Sequence, residues 1–251
     1  MKKIFLVLLV SLPVGSVICM DFELRFLVYE ALKDAAKNDD KKTVTRLLNN
    51  SRVTQDGIND VLERAAGADK EEIVALLLGD SRVTSDGITT ALRFAARRGH
   101  KKIVTLLIGD SRVTLDGIND ALSWATGLAS KKISKNEQEE IVALLLDDSR
   151  VTPDGVNSAL KDTAKFGRRK TVIQLLCDSR VTPDGVNSAL KGAGKHDRKN
   201  IVIQLLGDPR VTQDGINGAL CGAAINGHAN VVEMLRVAQQ GVDGTLYGAR
   251  K

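Results

Sequence analysis

Apolar residues return along most of this chain in a paired helical rhythm. In the stretch Asp80 to Ile108 (DSRVTSDGITTALRFAARRGHKKIVTLLI), Ile88, Ala91, Leu92 and Ala95 fall at i, i+3, i+4 and i+7, which is one face of a helix. Gly99 breaks the pattern, and Ile103, Val104, Leu106 and Leu107 form a second apolar stripe. The stretch reads as helix A, a tight turn, helix B and a polar connection. A Ser/Pro-Arg-Val-Thr word brings the unit back, with its Arg at Arg52, Arg82, Arg112, Arg150, Arg180 and Arg210, at spacings of 30, 30, 38, 30 and 30 residues. Such a period predicts an all-α solenoid of small stacked units and not one large core. Helices of about ten residues are marginal alone in water. Each must bury its stripe against neighbours, and the Ala91-Leu92 and Ala95-Ala96 steps allow close approach. No single copy is expected to fold by itself.

Position within the repeat separates backbone demand from chemistry. The residue ending helix A is Asp39, Asp69, Gly99, Gly167, Asp197 or Gly227. Gly and Asp share tolerance of a left-handed backbone, so these aspartates read as turn formers and not as catalytic acids. The connection ends in Thr-x-Asp-Gly, read as a β-turn with Asp86 and its equivalents capping helix A. The recurrent Arg and the Asp beside it read as a structural ladder, bridging to carboxylates or carbonyls of the next copy, in preference to a file of positive charge for an anionic ligand.

Seven copies follow in order. The first, from Leu24, lacks the Arg-Val-Thr word and reads as a cap. Copies two and three span 57–78 and 87–108. Copy four starts at Gly117 and carries eight additional residues, Ala129 to Asn136 (ASKKISKN). Copies five to seven span 155–176, 185–206 and 215–238. The array thus occupies 22–238, and Gln239 to Lys251, with three Gly and no apolar period, is expected to be a flexible tail. Residues 1–19 read as a signal peptide: Lys2 and Lys3, an apolar run from Ile4 to Leu12, then Pro13, Gly15 and Ser16. Cleavage after Ser16 or after Cys19 fits equally. The expected destination is export, to the periplasm or beyond the cell.

Composition narrows the chemistry. The net charge of +5 falls by two with the leader, to +3, a weak bias for a polyanion binder. Cys177 and Cys221 sit in different repeats at different positions, so no disulfide framework is expected, and both read as buried or half-buried. The sequence holds no nucleophile with a positioned base, no Gly-rich phosphate loop and no metal-ligand spacing. His100 and His228 share one repeat position and read as helix-start hydrogen-bonding residues. Neither enzyme activity nor a cofactor is expected.

The pattern Asp-Gly, Ala-Leu-x-x-Ala-Ala-x-x-Gly-His, Ile-Val-x-Leu-Leu, clearest at Asp86–Leu107 and Asp214–Leu235, resembles the ankyrin repeat. The Thr-Pro-Leu-His word of that family is absent and the period is 30, which puts its connecting hairpins in doubt. The resemblance implies a monomeric, non-catalytic scaffold for a protein partner, bound on the exposed side of helix A. Together with a leader it also implies action on a host cell. By position that face includes Thr89, Thr90, Asn119, Asp120, Arg97, Arg98, Leu128, Lys165 and Phe166. Phe94 and Trp124 occupy a variable column in adjacent copies, in a chain with 3% aromatic residues. Packed together they are core; beside Arg93, Arg97 and Arg98 they form a binding hot spot. Two other classes stay open. One is a basic solenoid for nucleic acid or another polyanion, against which the low charge argues. The other is a structural envelope component.

Overall fold

The computed structural model describes residues 14–127 and 135–248, with side chains from 21 to 127 and from 136 to 240. The leader falls mostly outside these residues, as do Leu128 and most of the Ala129–Asn136 insertion. Among the described residues there are no strands and fourteen helices. They are α1 (Val14–Lys37), α2 (Lys41–Leu48), α3 (Gln55–Gly67), α4 (Glu71–Leu78), α5 (Ser85–Arg98), α6 (Lys101–Ile108) and α7 (Leu115–Thr126). Then come α8 (Lys135–Leu146), α9 (Pro153–Phe166), α10 (Arg169–Leu176), α11 (Pro183–Lys195), α12 (Lys199–Leu206), α13 (Gln213–Ile225) and α14 (Ala229–Gly248). Odd-numbered helices are helix A and even-numbered ones helix B, giving seven pairs. The helical conformation of α14 continues past Gln239, where the sequence reading ends the array. No described helix is long and apolar enough to cross a membrane. The chain divides into two compact units, residues 1–91 and 92–251, with the boundary inside α5.

In each unit the pairs stack in chain order, as in an α-solenoid. In the first unit Ile58, Leu62 and Ala66 of α3 meet Ile73, Val74 and Leu77 of α4, and all six are fully excluded from water. In the second, Val156, Leu160 and Ala164 of α9 and Val172 and Leu175 of α10 do the same. Each such Val, Leu or Ile contributes about 1.5–3 kcal/mol by leaving water. The connections bury only a valine each, such as Val53, Val83, Val151 and Val181.

The turn after helix A meets the expected backbone demand. Asp39, Asp69 and Asp197 have φ of 62°, 59° and 55°, and Gly99, Gly167 and Gly227 have 83°, 76° and 73°. The start of helix A differs from the sequence reading. Its cap is Thr and not Asp: Thr54, Thr84, Thr152, Thr182 and Thr212 each accept, through Oγ1, the N–H of the Gly three residues on, at 3.1–3.2 Å. The Asp stands inside the first helical turn, and the expected β-turn is that turn. Pro153 and Pro183 fit there because a first-turn residue needs no N–H.

Two further devices join neighbouring repeats. Asn157 donates from Nδ2 to Thr182 Oγ1 at 3.0 Å and accepts the Thr182 N–H at 3.1 Å. Asn59–Thr84, Asn119–Thr152 and Asn187–Thr212 repeat this exchange. The Asn side chain lies against the following repeat's Gly so closely that a Cβ on Gly185 would collide with Asn157 Oδ1. That contact, and not φ, is why the Thr-x-Asp-Gly word ends in Gly. The second device is the connection arginine. Arg180 is forked on its own Asp178, Nε to Oδ1 at 2.9 Å and Nη2 to Oδ2 at 2.7 Å. It also donates to Val151 O at 3.1 Å and Leu146 O at 2.6 Å. Arg82, Arg150 and Arg210 do likewise. The ladder is structural, as expected, but it reaches back to the preceding copy. It satisfies the last carbonyl of helix B, an otherwise orphaned acceptor at a negative helix end.

Candidate functional site

The arginines on the helix-A face stand apart from this ladder. Arg93 and Arg97 lie one turn apart on the part of α5 that belongs to the second unit. Trp124 projects from α7 in the next repeat, and both guanidinium groups lie over its ring, 5.8 Å and 5.3 Å from the centroid. Arg93 Nη1 is also 3.6 Å from Asp120 Oδ2. Trp124 is 39% exposed and Phe94 is half-buried. The indole is therefore neither core nor loose on the surface. Two cations hold one ring at the boundary with water, each such contact contributing about 0.5–1 kcal/mol.

The face continues along α7 and α9. Ser123 Oγ is 3.3 Å from Asp162 Oδ2. Phe166 packs toward α7, with Cε2 4.0 Å from where a Cβ on Gly127 would stand. Lys165 lies over that phenyl ring, 5.3 Å from its centroid. The structure thus brings together Arg93, Arg97, Asp120 and Trp124, and places Lys165 and Phe166 in the repeat beyond them. Arg98 is exposed at the end of α5. Thr89 and Thr90 are half-buried and lie in the first unit. Asn119 sits on this side of α7, but its amide is occupied by Thr152.

Other candidates take structural or unremarkable places. His228 lies with Nε2 3.0 Å from Lys195 O, joining its repeat to the one before. Arg198 occupies the same position one repeat earlier and donates from Nε to Lys165 O at 2.8 Å. Burial and the surrounding cations Lys165, Lys195 and Arg198 hold the His196 imidazole below its ordinary pKa. Cys177 and Cys221 are free thiols and both are exposed, contrary to the buried or half-buried placement expected for small apolar side chains. Cys177 closes the last turn of α10, and Cys221 occupies the outward column that holds Lys161 and Lys191 in earlier repeats. Among the described residues no group of His, Cys, Asp and Glu could hold a metal ion. A hollow of about 310 Å³ in the first unit, lined by Lys33, Asp34, Lys37, Arg64 and Lys70 around Val61 and Ala65, contains no nucleophile paired with a base.

Residues 32–119 match the family model described as ankyrin repeats, in three copies. Residues 32–119 thus belong to the ankyrin-repeat family. The caps, left-handed turns and arginine forks recur beyond residue 119, through α9 to α13, so the same repeat continues outside the matched segment. No curated protein and no solved structure matches the chain. Ankyrin-repeat proteins are in general non-catalytic scaffolds for protein–protein contacts. This one departs from the usual repeat in its connections, which among the described residues form no hairpin strands and are held instead by the Asp–Arg fork.

Proposed function

We propose that this ankyrin-repeat protein is a non-catalytic scaffold that docks a protein partner on the helix-A face of α5, α7 and α9. The observation carrying this reading is the half-exposed Trp124 clamped by Arg93 and Arg97. Trp and Arg dominate binding hot spots because they desolvate a large area while keeping directional donors. A guanidinium–indole stack pre-orders those side chains before the partner arrives, which lowers the entropy lost on binding. Phe94, Asp120, Arg98, Lys165 and Phe166 form the surrounding contact zone. The leader read over residues 1–19 directs the chain out of the producing cell, where a host-cell protein is the expected partner.

The arginine ladder argues against the polyanion alternative. From Arg82 onward the described connection arginines are forked on their own aspartates and on backbone carbonyls, so they offer no phosphate-binding file. The test is a pull-down with the purified chain as bait, read by mass spectrometry, beside a Phe94→Ala/Arg97→Ala/Trp124→Ala bait of equal helicity. A partner held by the first bait and lost from the second supports the reading. A partner held equally by both moves the site elsewhere. Recovery only with envelope material, with no specific partner, favours the structural alternative.

A further inference from the structure

The helix-A face of the later repeats carries a second feature, a file of lysines. Lys161 and Lys165 on α9, and Lys191 and Lys195 on α11, stand at equivalent positions of successive repeats. All four are exposed. Among the described residues none of the four is in an ion pair, whereas Arg150, Arg180 and Arg210 nearby are each forked on an aspartate. Like charges at i and i+4 on one helix disfavour it, and both helices carry such a pair. Three of the four stand against the next helix, while Lys165 lies over Phe166 of its own helix. Lys161 Cγ is 4.0 Å from where a Cβ on Gly192 would stand, a Cβ on Gly218 would collide with Lys191, and Lys195 Cβ is 3.7 Å from that of Gly222. Arg198, tied to Lys165 O, adds a fifth cation at the turn. The acids on this side are Asp162, engaged by Ser123, Asp197 at the left-handed turn, and Asp154 and Asp184, which stand two turns before Lys161 and Lys191 at the helix starts.

We infer that this lysine file binds an acidic segment of the partner, an extended peptide with carboxylates about three residues apart, laid across α9 and α11. The spacing follows from geometry. Packed helices stand about 8–10 Å apart, and an extended chain advances about 3.3 Å per residue. Three residues therefore carry the peptide from one repeat's lysine pair to the next. The inference rests on the scaffold reading and adds the chemistry of what is bound.

The test uses the full chain and fluorescence anisotropy. The probes are a labelled (Glu-Gly-Ser)5 peptide, a peptide of the same composition with its five glutamates contiguous, and a labelled single-stranded oligonucleotide. Lys161→Gln/Lys165→Gln/Lys191→Gln/Lys195→Gln is compared with Lys41→Gln/Lys42→Gln/Lys101→Gln/Lys102→Gln, an equal charge change on helix B. The spaced peptide should bind more tightly than the block peptide. The first variant should weaken it at least tenfold and the second less than twofold. The first variant should also keep its helicity and show an unchanged or raised urea midpoint, since repulsion is removed. Equal loss in both variants, no preference between the peptides, or tighter binding of the oligonucleotide overturns the inference. Should the peptide fail while a Trp124-dependent partner is still retained in the pull-down, the acidic segment is wrong and the scaffold stands.

Discussion

Replacing Arg180 by Ala should open the stack between the repeats that it ties together. The side chain donates two short hydrogen bonds to carbonyls of the preceding repeat, at 3.1 Å and 2.6 Å, with a third, long one to Asp148 O at 3.5 Å, and forks on Asp178. Hydrogen bonds from a charged group contribute about 1.5–3 kcal/mol each. The side chain is 26% exposed, which favours the low end. The two carbonyl bonds then account for about 3 kcal/mol, and the partly exposed fork adds up to about 1 kcal/mol. Arg52 is the internal control, because it has lost this arrangement. Asn50 replaces the Asp, and among the described residues the guanidinium, 46% exposed, reaches only Asp21, at 3.4 Å. Arg52→Ala should therefore cost less than about 1 kcal/mol. Stacked repeats need not unfold in one step, so the assay is native-state hydrogen exchange of α8 and α10 amides, with urea midpoints alongside. Arg180→Lys, which keeps the charge but cannot fork, should recover less than half of the loss. Equal effects of Arg180→Ala and Arg52→Ala, within about 0.5 kcal/mol, would refute the argument, since the size estimate rests on the standard value of a charged hydrogen bond.

Three further outcomes follow from the same repeat. Hydrogen bonds from the paired arginines hold Asp80, Asp110, Asp148, Asp178 and Asp208 below the ordinary carboxylate pKa. Their contribution is fully present above the unfolded value of about 3.9 and is lost as pH falls through the depressed folded values. Denaturation midpoints should thus fall steeply below about pH 4, and Asp178→Asn should flatten that fall. Thr182→Ala, which removes the cap and the partner of Asn157, should cost about 1–2 kcal/mol, and Asp184→Ala less than half as much, by urea denaturation. Asp197→Ala should cost about 1 kcal/mol because Ala keeps a Cβ at a φ of 55° without the short polar side chain that lets Asp tolerate it, while Asp197→Gly should be neutral within about 0.5 kcal/mol, as read by thermal melts. A loss on Asp197→Gly as large as on Asp197→Ala would mean that the carboxylate matters there and not the backbone.

Features fixed by backbone geometry were legible in the sequence, and those fixed by contacts across repeats were not. The helix pairs followed from apolar periodicity, and the left-handed turns from alternation of Asp and Gly at one position. The arginine ladder followed from period alone, but its direction did not, because a repeat gives register without saying which neighbour a side chain reaches. The Asn–Thr–Gly lock was missed for the same reason. Asn157 and Gly185 are 28 residues apart, and only stacking brings them together. The cap was assigned to Asp where Thr performs it, because both are good caps and the pattern did not fix the first helical residue. Of the candidate site, variability pointed to Phe94 and Trp124. The clamp on Trp124 depended on the spacing between α5 and α7, and the file of Lys161 and Lys191 on recognising helix-A columns as surfaces.

The central claim is that the helix-A face around Trp124 is where a partner docks. The most direct measurement is site-specific photo-cross-linking with a benzophenone amino acid, placed at the exposed Arg98 beside the Trp124 clamp in one preparation and at Ile203 on α12, which is 59% exposed, in another. A partner should cross-link from position 98 and not from position 203, and Arg93→Ala/Trp124→Ala should abolish it. Cross-linking from position 203 alone, or a yield at position 98 indifferent to Arg93 and Trp124, would contradict the account.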